Sequence, residues 1–270
     1  MLCHRAAGCC LGIRATGPAR HDPARRIEHT GPMTPPQPRT LGTLVLVVLL
    51  GFCAVAVAVQ AAWPEHHWWH APLSFYLSGP HGLWLRAAYY GLAVAMVLLA
   101  TGLWRTLAPA ARQLLPPVLL ACGGVALAVT ATFPGPRPGH AVGELEAVVH
   151  GLSAIASFLF VGVAMLLQSA SLHRDPHWRR LAWLLLPLAA IAFAGLWWHA
   201  LDRSLPRGGS QKAVVALYLL WLGVAAWRLR SAAPAGLAEH HPRRCHCTKL
   251  RVKARCDVSR RKSEACRSRT

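Results

Sequence analysis

The sequence predicts an all-α integral membrane protein, an antiparallel bundle of six spanning helices between two basic tails. Three observations predict it. The 270 residues are 54% hydrophobic and only 14% charged, where soluble domains carry about 25% charged residues, and the mean hydropathy is +0.34. Six windows are apolar over the roughly 20 residues that a helix needs to cross a bilayer core. The charge sits at the ends of the chain rather than along it.

That last point decides how the formal net charge of +19 is read. Residues 1–40 hold six Arg and two acids, and residues 228–270 hold thirteen Lys/Arg and three acids. The 187 residues between them hold ten basic and five acidic residues. Basic flanks beside apolar spans set orientation and meet anionic lipid. Nucleic acid is therefore not an expected partner; membrane lipids are.

The first span, Leu41–Trp63, is an apolar run in which only Thr43 and Gln60 are polar. The second, Leu83–Trp104, carries Arg86 near its start, where a long side chain can snorkel to the interface. The third, Leu115–Phe133, has Pro116-Pro117 in its first turn, a position that tolerates proline. The fourth is Ala147–Gln168. The fifth, Leu181–Leu201, contains Pro187 and is expected to kink there, which membrane helices tolerate when neighbours satisfy the freed carbonyl. The sixth, Ala213–Trp227, is short unless it begins earlier. Small residues within the spans (Ala93, Ala95, Gly123-Gly124, Gly151, Ala154, Gly162) favour close helix contacts, and a homo-oligomer stays open.

Short connections make neighbouring helices antiparallel, and an even number of spans puts both ends of this domain on one side. Arg39, Arg105, Arg112, Arg174, Arg179, Arg180, Arg228 and Arg230 flank the spans on that side, eight against five opposite (Arg86, Arg137, Arg203, Arg207, Lys212). The positive-inside rule then predicts an inner (plasma) membrane protein with cytoplasmic termini. Trp63, Trp68, Trp69, Trp84, Trp178, Trp183, Trp197 and Trp198 gather at span ends, as an aromatic belt does.

The domains expected are thus a basic tail (1–40), the six-helix domain (41–228) and a second basic tail (229–270). Neither tail shows helical periodicity, and no cleavable signal peptide is apparent. Met33 would make a natural start, and one or both tails are expected to derive from an extended or shifted reading frame. If translated, they are expected to be disordered and to touch anionic lipid. Seven of the nine cysteines lie in these tails. Cys245-His246-Cys247 lacks the spacing of a structural zinc site, and Cys53 and Cys122 fall in spans, where a thiol acts as a small hydrophobe.

Ionisable groups at membrane depth are costly and usually face a bundle interior with a partner. Glu146, His150, Ser153 and Ser157 share one face of the fourth helix by their spacing, and His199, Asp202 and Arg203 gather at the end of the fifth. A pocket on the outer face lined by Glu146, His150, His199 and Asp202, with Arg86 nearby, is the expected site. Three chemistries would use it. Imidazoles with carboxylates could hold zinc in a membrane-embedded hydrolase, with Glu146 or Asp202 as acid/base. His150 and His199 could ligate a haem in a redox protein. Arg86, Arg203 and the histidines could hold an anionic lipid headgroup without a reaction. Against these stands a structural reading in which Glu146 pairs with His150 and the first-loop His and Trp residues lie at the interface. No nucleotide-binding loop, HExxH or GxSxG is present, and no cofactor is expected.

Leu73-Ser74-Phe75-Tyr76, Gly79-Pro80 and Gly82-Leu83-Trp84 lead straight into the second span. Phe133-Pro134 closes the third, and His150, Ala154 and Phe158 lie in the fourth. In these residues the chain resembles the family called domain of unknown function 998, over roughly residues 41–228. Ser74, Tyr76, Gly79 and Pro134 are the motif positions. The resemblance implies a six-helix bundle and assigns no biochemical activity. Members often follow Phe-Pro with Thr-Asp, where this chain has Gly135-Pro136-Arg137-Pro138; Glu144, Glu146 or Asp202 would have to substitute for that Asp. Similar multi-span families are associated with membrane-lipid organisation, an analogy that favours lipid binding.

Overall fold

Helix length is what a bilayer dictates, and each of the six spans meets it. The computed structural model describes residues 37–139 and 141–231; the expectations for both tails fall largely on residues outside these. The helices are α1 (Pro38–Ala61), α2 (Gly82–Thr106), α3 (Leu115–Thr132), α4 (Glu144–Leu172), α5 (Arg179–Leu201) and α6 (Arg207–Arg230). At 1.5 Å per residue even the 18-residue α3 reaches about 27 Å, close to a hydrocarbon core of about 30 Å. Two short 3-10 helices, Leu73–Ser78 and Pro109–Ala111, lie in the connections. No β-strand occurs among the described residues.

Consecutive helices pack against each other, and α6 returns to α1, so the bundle closes into a ring. Closure depends on a close approach at Gly42: a Cβ there would lie 2.6 Å from the Ala226 carbonyl oxygen and from the Arg230 amide. Only 28–44% of each span's most apolar stretch is buried inside the protein. What remains outward is apolar too, including Leu44, Leu50, Val57, Leu83, Leu152 and Ile191. A water-soluble bundle would place polar residues there. Six such helices make this a multi-pass membrane protein.

The polar start of α6 explains why its hydropathy window was short. The helix begins at Arg207 rather than Ala213, and its first two turns are stapled to the first connection. Gly208 and Gly209 donate their amides to the His70 and Trp69 carbonyls at 3.1 and 2.7 Å. Gln211 Oε1 accepts the Leu73 amide at 2.9 Å, and Lys212 Nζ donates to the carbonyls of Trp68 and Ala71. The fourth helix likewise runs from Glu144 to Leu172, past both ends of its apolar window.

The connections after α1, α3 and α5 form one face of the bundle, here the hairpin face. Those after α2 and α4 share the opposite, terminal face with the outer ends of α1 and α6. On the terminal face Asp175 is buried, 1% exposed. Its Oδ2 accepts the Ala108 amide at 2.7 Å, and its Oδ1 accepts those of His177 and Trp178 at 2.8 and 3.2 Å. Trp178, expected in the aromatic belt, is instead fully buried. The Asp175 turn draws it inward, and the Arg228 guanidinium lies 5.6 Å over its ring. Trp68, Trp69, Trp84, Trp183, Trp197 and Trp198 are exposed, as a belt requires.

Candidate functional site: a polar-rimmed cavity inside the bundle

A ring of six helices leaves a centre that side chains must fill, and near the hairpin face they do not fill it. A cavity of about 120 Å³ lies between α1, α2, α3, α4, α6 and the 3-10 turn of the first connection. Its deeper wall is apolar: Leu92, Met96, Val161, Leu219 and Leu222. Toward the hairpin face the wall becomes polar, with Ser74, Thr130, His150 and Gln211, while Tyr89 and Tyr218 line it from α2 and α6. No Lys, Arg, Asp or Glu lines it.

His150 is held there by the end of α3. A helix leaves its last carbonyls without intrahelical partners, and Pro134 cannot continue α3 or offer an amide. The Phe133 carbonyl thus needs another donor, and His150 Nδ1 lies 2.7 Å from it. A carbonyl only accepts, so Nδ1 carries the proton, and an uncharged ring then keeps its Nε2 as an acceptor. Gly135 packs on the ring: a Cβ there would meet His150 Cδ2 at 2.6 Å. Phe133-Pro134 and His150, read above as separate motif positions, are one hydrogen-bonded unit.

Other polar groups of this wall are internally satisfied. Thr130 Oγ1 lies 2.8 Å from Ser153 Oγ, Ser157 Oγ donates to the Gly123 carbonyl at 3.0 Å, and Tyr218 Oη to that of Phe158 at 2.9 Å. Four groups differ. Among the described residues, His150 Nε2, the Tyr89 hydroxyl, the Ser74 hydroxyl and the Gln211 amide nitrogen make no hydrogen bond. They are the hydrogen-bonding groups of the lining without a protein partner among the described residues.

Of the five residues expected to form the site, only His150 lines this cavity. Glu146 is exposed in the first turn of α4 while His150 is buried, so the two do not pair, and His150 Nδ1 meets the Phe133 carbonyl instead. His199 lines a separate crevice between α5 and α6, beside Trp69 and Trp198. Its Nδ1 lies 2.7 Å from Ser210 Oγ, which donates its own proton to Pro206. Asp202 ends α5, accepting from Ser204 N and Oγ at 2.9 and 2.6 Å and from Trp198 Nε1 at 3.2 Å. The Ser204 contacts, with Trp198, hold its carboxyl below the usual carboxylate value. Arg86 Nε donates to the Leu77 carbonyl at 3.2 Å. The structure thus separates His150 from His199, and among the described residues no three His, Cys, Asp or Glu side chains come together as metal ligands.

The remaining motif positions build the first connection. Ser74 lines the cavity. Tyr76 is buried, donates its hydroxyl to the His66 carbonyl at 3.0 Å, and has its phenol pKa raised by that burial. Gly79 lies against the Trp63 indole, where no Cβ would fit. Tyr89 and Gln211 were missed by sequence reasoning. Gln211 carried a signal, as a polar residue at the start of an apolar run; Tyr89, beside Tyr90 in a continuous apolar segment, carried none.

A closed ring of six apolar helices around a polar-rimmed cavity defines a multi-pass helical membrane protein. A family model described as "Protein of unknown function (DUF998)" matches residues 45–228. The chain belongs to that family. No curated protein and no solved structure matches it.

Proposed function

We propose that this protein binds a lipid-type amphiphile in the interior cavity, at the outer face of the plasma membrane, with both termini cytoplasmic. The cavity's polarity gradient carries the reading. Along α4 the lining runs from His150 to Val161, eleven residues and about 16 Å of helix. It passes from unpaired hydrogen-bonding groups at the hairpin face to a wholly apolar floor. An amphiphile matches that gradient, head at the rim and tail below. The orientation rests on the excess of Arg at the terminal face, which favours the cytoplasm.

The test is the lipid that accompanies the purified protein. Ala154 lines the cavity, and Ala154→Phe fills part of it. Native mass spectrometry of the unaltered protein is expected to show one bound amphiphile per chain, and the variant is expected to lose it. An unaltered protein without bound amphiphile, or a variant that keeps it, overturns the reading.

A further inference from the structure

We infer that the head of the bound amphiphile is uncharged and oxygen-bearing, and that it carries a single apolar chain. This inference rests on the lipid-binding reading above and narrows it to a ligand class.

The lining excludes charge. No Lys or Arg reaches the cavity to neutralise a phosphate or carboxylate, and no Asp or Glu to pair an ammonium. A charge taken out of water without a partner carries a heavy desolvation cost. Basic residues close to the rim in sequence are engaged elsewhere: Arg86 Nε donates to the Leu77 carbonyl, Arg137 Nη2 to the Ser78 carbonyl, and Lys212 Nζ to the carbonyls of Trp68 and Ala71. What the rim presents instead are hydrogen-bonding groups without a fixed charge. The Gln211 amide nitrogen donates, His150 Nε2 accepts, and the hydroxyls of Tyr89 and Ser74 do either. A hydroxyl head satisfies a donor and an acceptor together, and a carbonyl or ester oxygen beside it uses a second donor.

Size selects the chain number. At roughly 10–15 Å³ for each water-sized group, an enclosed space of about 120 Å³ holds about ten of them. It takes a small head and the first carbons of one chain, as a monoacylglycerol or a long-chain alcohol presents; the two chains of a phospholipid exceed it. The apolar floor has one continuous wall, Leu92, Met96, Val161, Leu219 and Leu222, for one tail.

The experiment uses the full chain in phosphatidylcholine nanodiscs, with empty nanodiscs as the partition control. Radiolabelled monooleoylglycerol, oleate and oleoyl-lysophosphatidate share one tail and differ in head charge, and excess retention over empty discs is measured at pH 8. Monooleoylglycerol is expected to be retained at one per chain, about tenfold or more tighter than either anion, as the missing counter-charge requires. Tyr89→Phe removes only a hydroxyl that has no protein partner, so the fold is untouched. That variant is expected to weaken monooleoylglycerol about fivefold, the value of one net hydrogen bond. Equal or tighter retention of oleate or lysophosphatidate overturns the inference and leaves the lipid reading standing. Retention of none of the three, with Ala154→Phe no different from the unaltered protein, overturns both.

Discussion

The Asp175 carboxylate accepts the Ala108 amide at 2.7 Å and so ties the α4–α5 connection to the end of α2 across 67 residues of sequence. With the His177 and Trp178 amides on its other oxygen, one buried side chain organises the terminal face. Replacing it by Ala leaves three backbone donors without this acceptor in a closed environment. A buried donor left unmade costs about 1–3 kcal/mol. Asp175→Ala is therefore expected to destabilise the protein by at least that much. Asp175→Asn keeps one oxygen and loses the other, so it should fall between. Thermal unfolding in detergent, followed by intrinsic tryptophan fluorescence with Trp178 beside the lesion, measures both. An Ala variant as stable as the unaltered protein would remove Asp175 from this role.

The His150–Phe133 link makes a second prediction, with two variants that probe it from opposite sides. His150→Ala deletes the donor and leaves the Phe133 carbonyl unpaired at the end of α3, a loss of about 1–3 kcal/mol. Gly135→Ala keeps the donor but drives a Cβ toward His150 Cδ2, at 2.6 Å in the present geometry. Overpacking of this kind costs about 1–3 kcal/mol. Because both act on one contact, the double variant should cost less than the sum of the singles. Additive losses in a thermal-unfolding double-mutant cycle would show that the two residues do not act through the same contact.

The sequence made the six spans plain because hydrocarbon imposes a length and a polarity on every crossing helix, and a window reads both. It misplaced the starts of α4 and α6 because Glu144, Arg207, Gln211 and Lys212 are polar for reasons a window does not see. The α6 residues answer the carbonyls and amides of a connection more than a hundred residues away. His150 was legible as a functional candidate, since an ionisable group in a span needs a partner. Its partner was not, because a free helix-end carbonyl has no side-chain signature. Spacing placed Glu146 and His150 on one side of α4, yet they lie at different depths, one exposed and one buried. His199 and His150 were joined only by sharing a face of the membrane, and the ring topology assigns them to different cavities. Asp175 was legible in principle: Asp-Pro marks a turn, and its carboxylate organises that turn.

Asp202 gives a prediction in pH. Its carboxyl is held below the usual value of 3.8, chiefly by the Ser204 hydroxyl and amide. A depressed carboxyl stabilises the folded form at pH values above the unfolded-state pKa, and the benefit disappears as pH falls through the lower, folded-state value. Near neutral pH the contribution is flat. Asp202→Asn should therefore lower the neutral-pH unfolding temperature slightly and remove part of the decline seen below about pH 4. An unfolding temperature measured from pH 3 to pH 7 checks this. An Asn variant whose acid decline is as steep as that of the unaltered protein would show that Asp202 is not its source.

Orientation decides which compartment the cavity's polar rim faces, and the terminal and hairpin faces make opposite predictions. The terminal face carries Arg39, Arg105, Arg112, Arg174, Arg179, Arg180, Arg228 and Arg230 at or beside the span ends, and the hairpin face only Arg86, Arg137, Arg203, Arg207 and Lys212, eight basic residues against five. The positive-inside bias follows Lys and Arg near span ends, not net charge, so Glu65, Glu144 and Glu146 do not weaken it. In a background with all nine cysteines replaced, Ser204→Cys on the hairpin face is expected to react with a membrane-impermeant maleimide on intact cells. Arg174→Cys on the terminal face is expected to react only after permeabilisation. Both positions are solvent-facing or nearly so, with Ser204 and Arg174 exposed, so lack of reaction reports sidedness rather than burial. The reverse pattern would turn the rim of His150, Ser74 and Gln211 toward the cytoplasm, and the cavity would then draw its amphiphile from the inner leaflet.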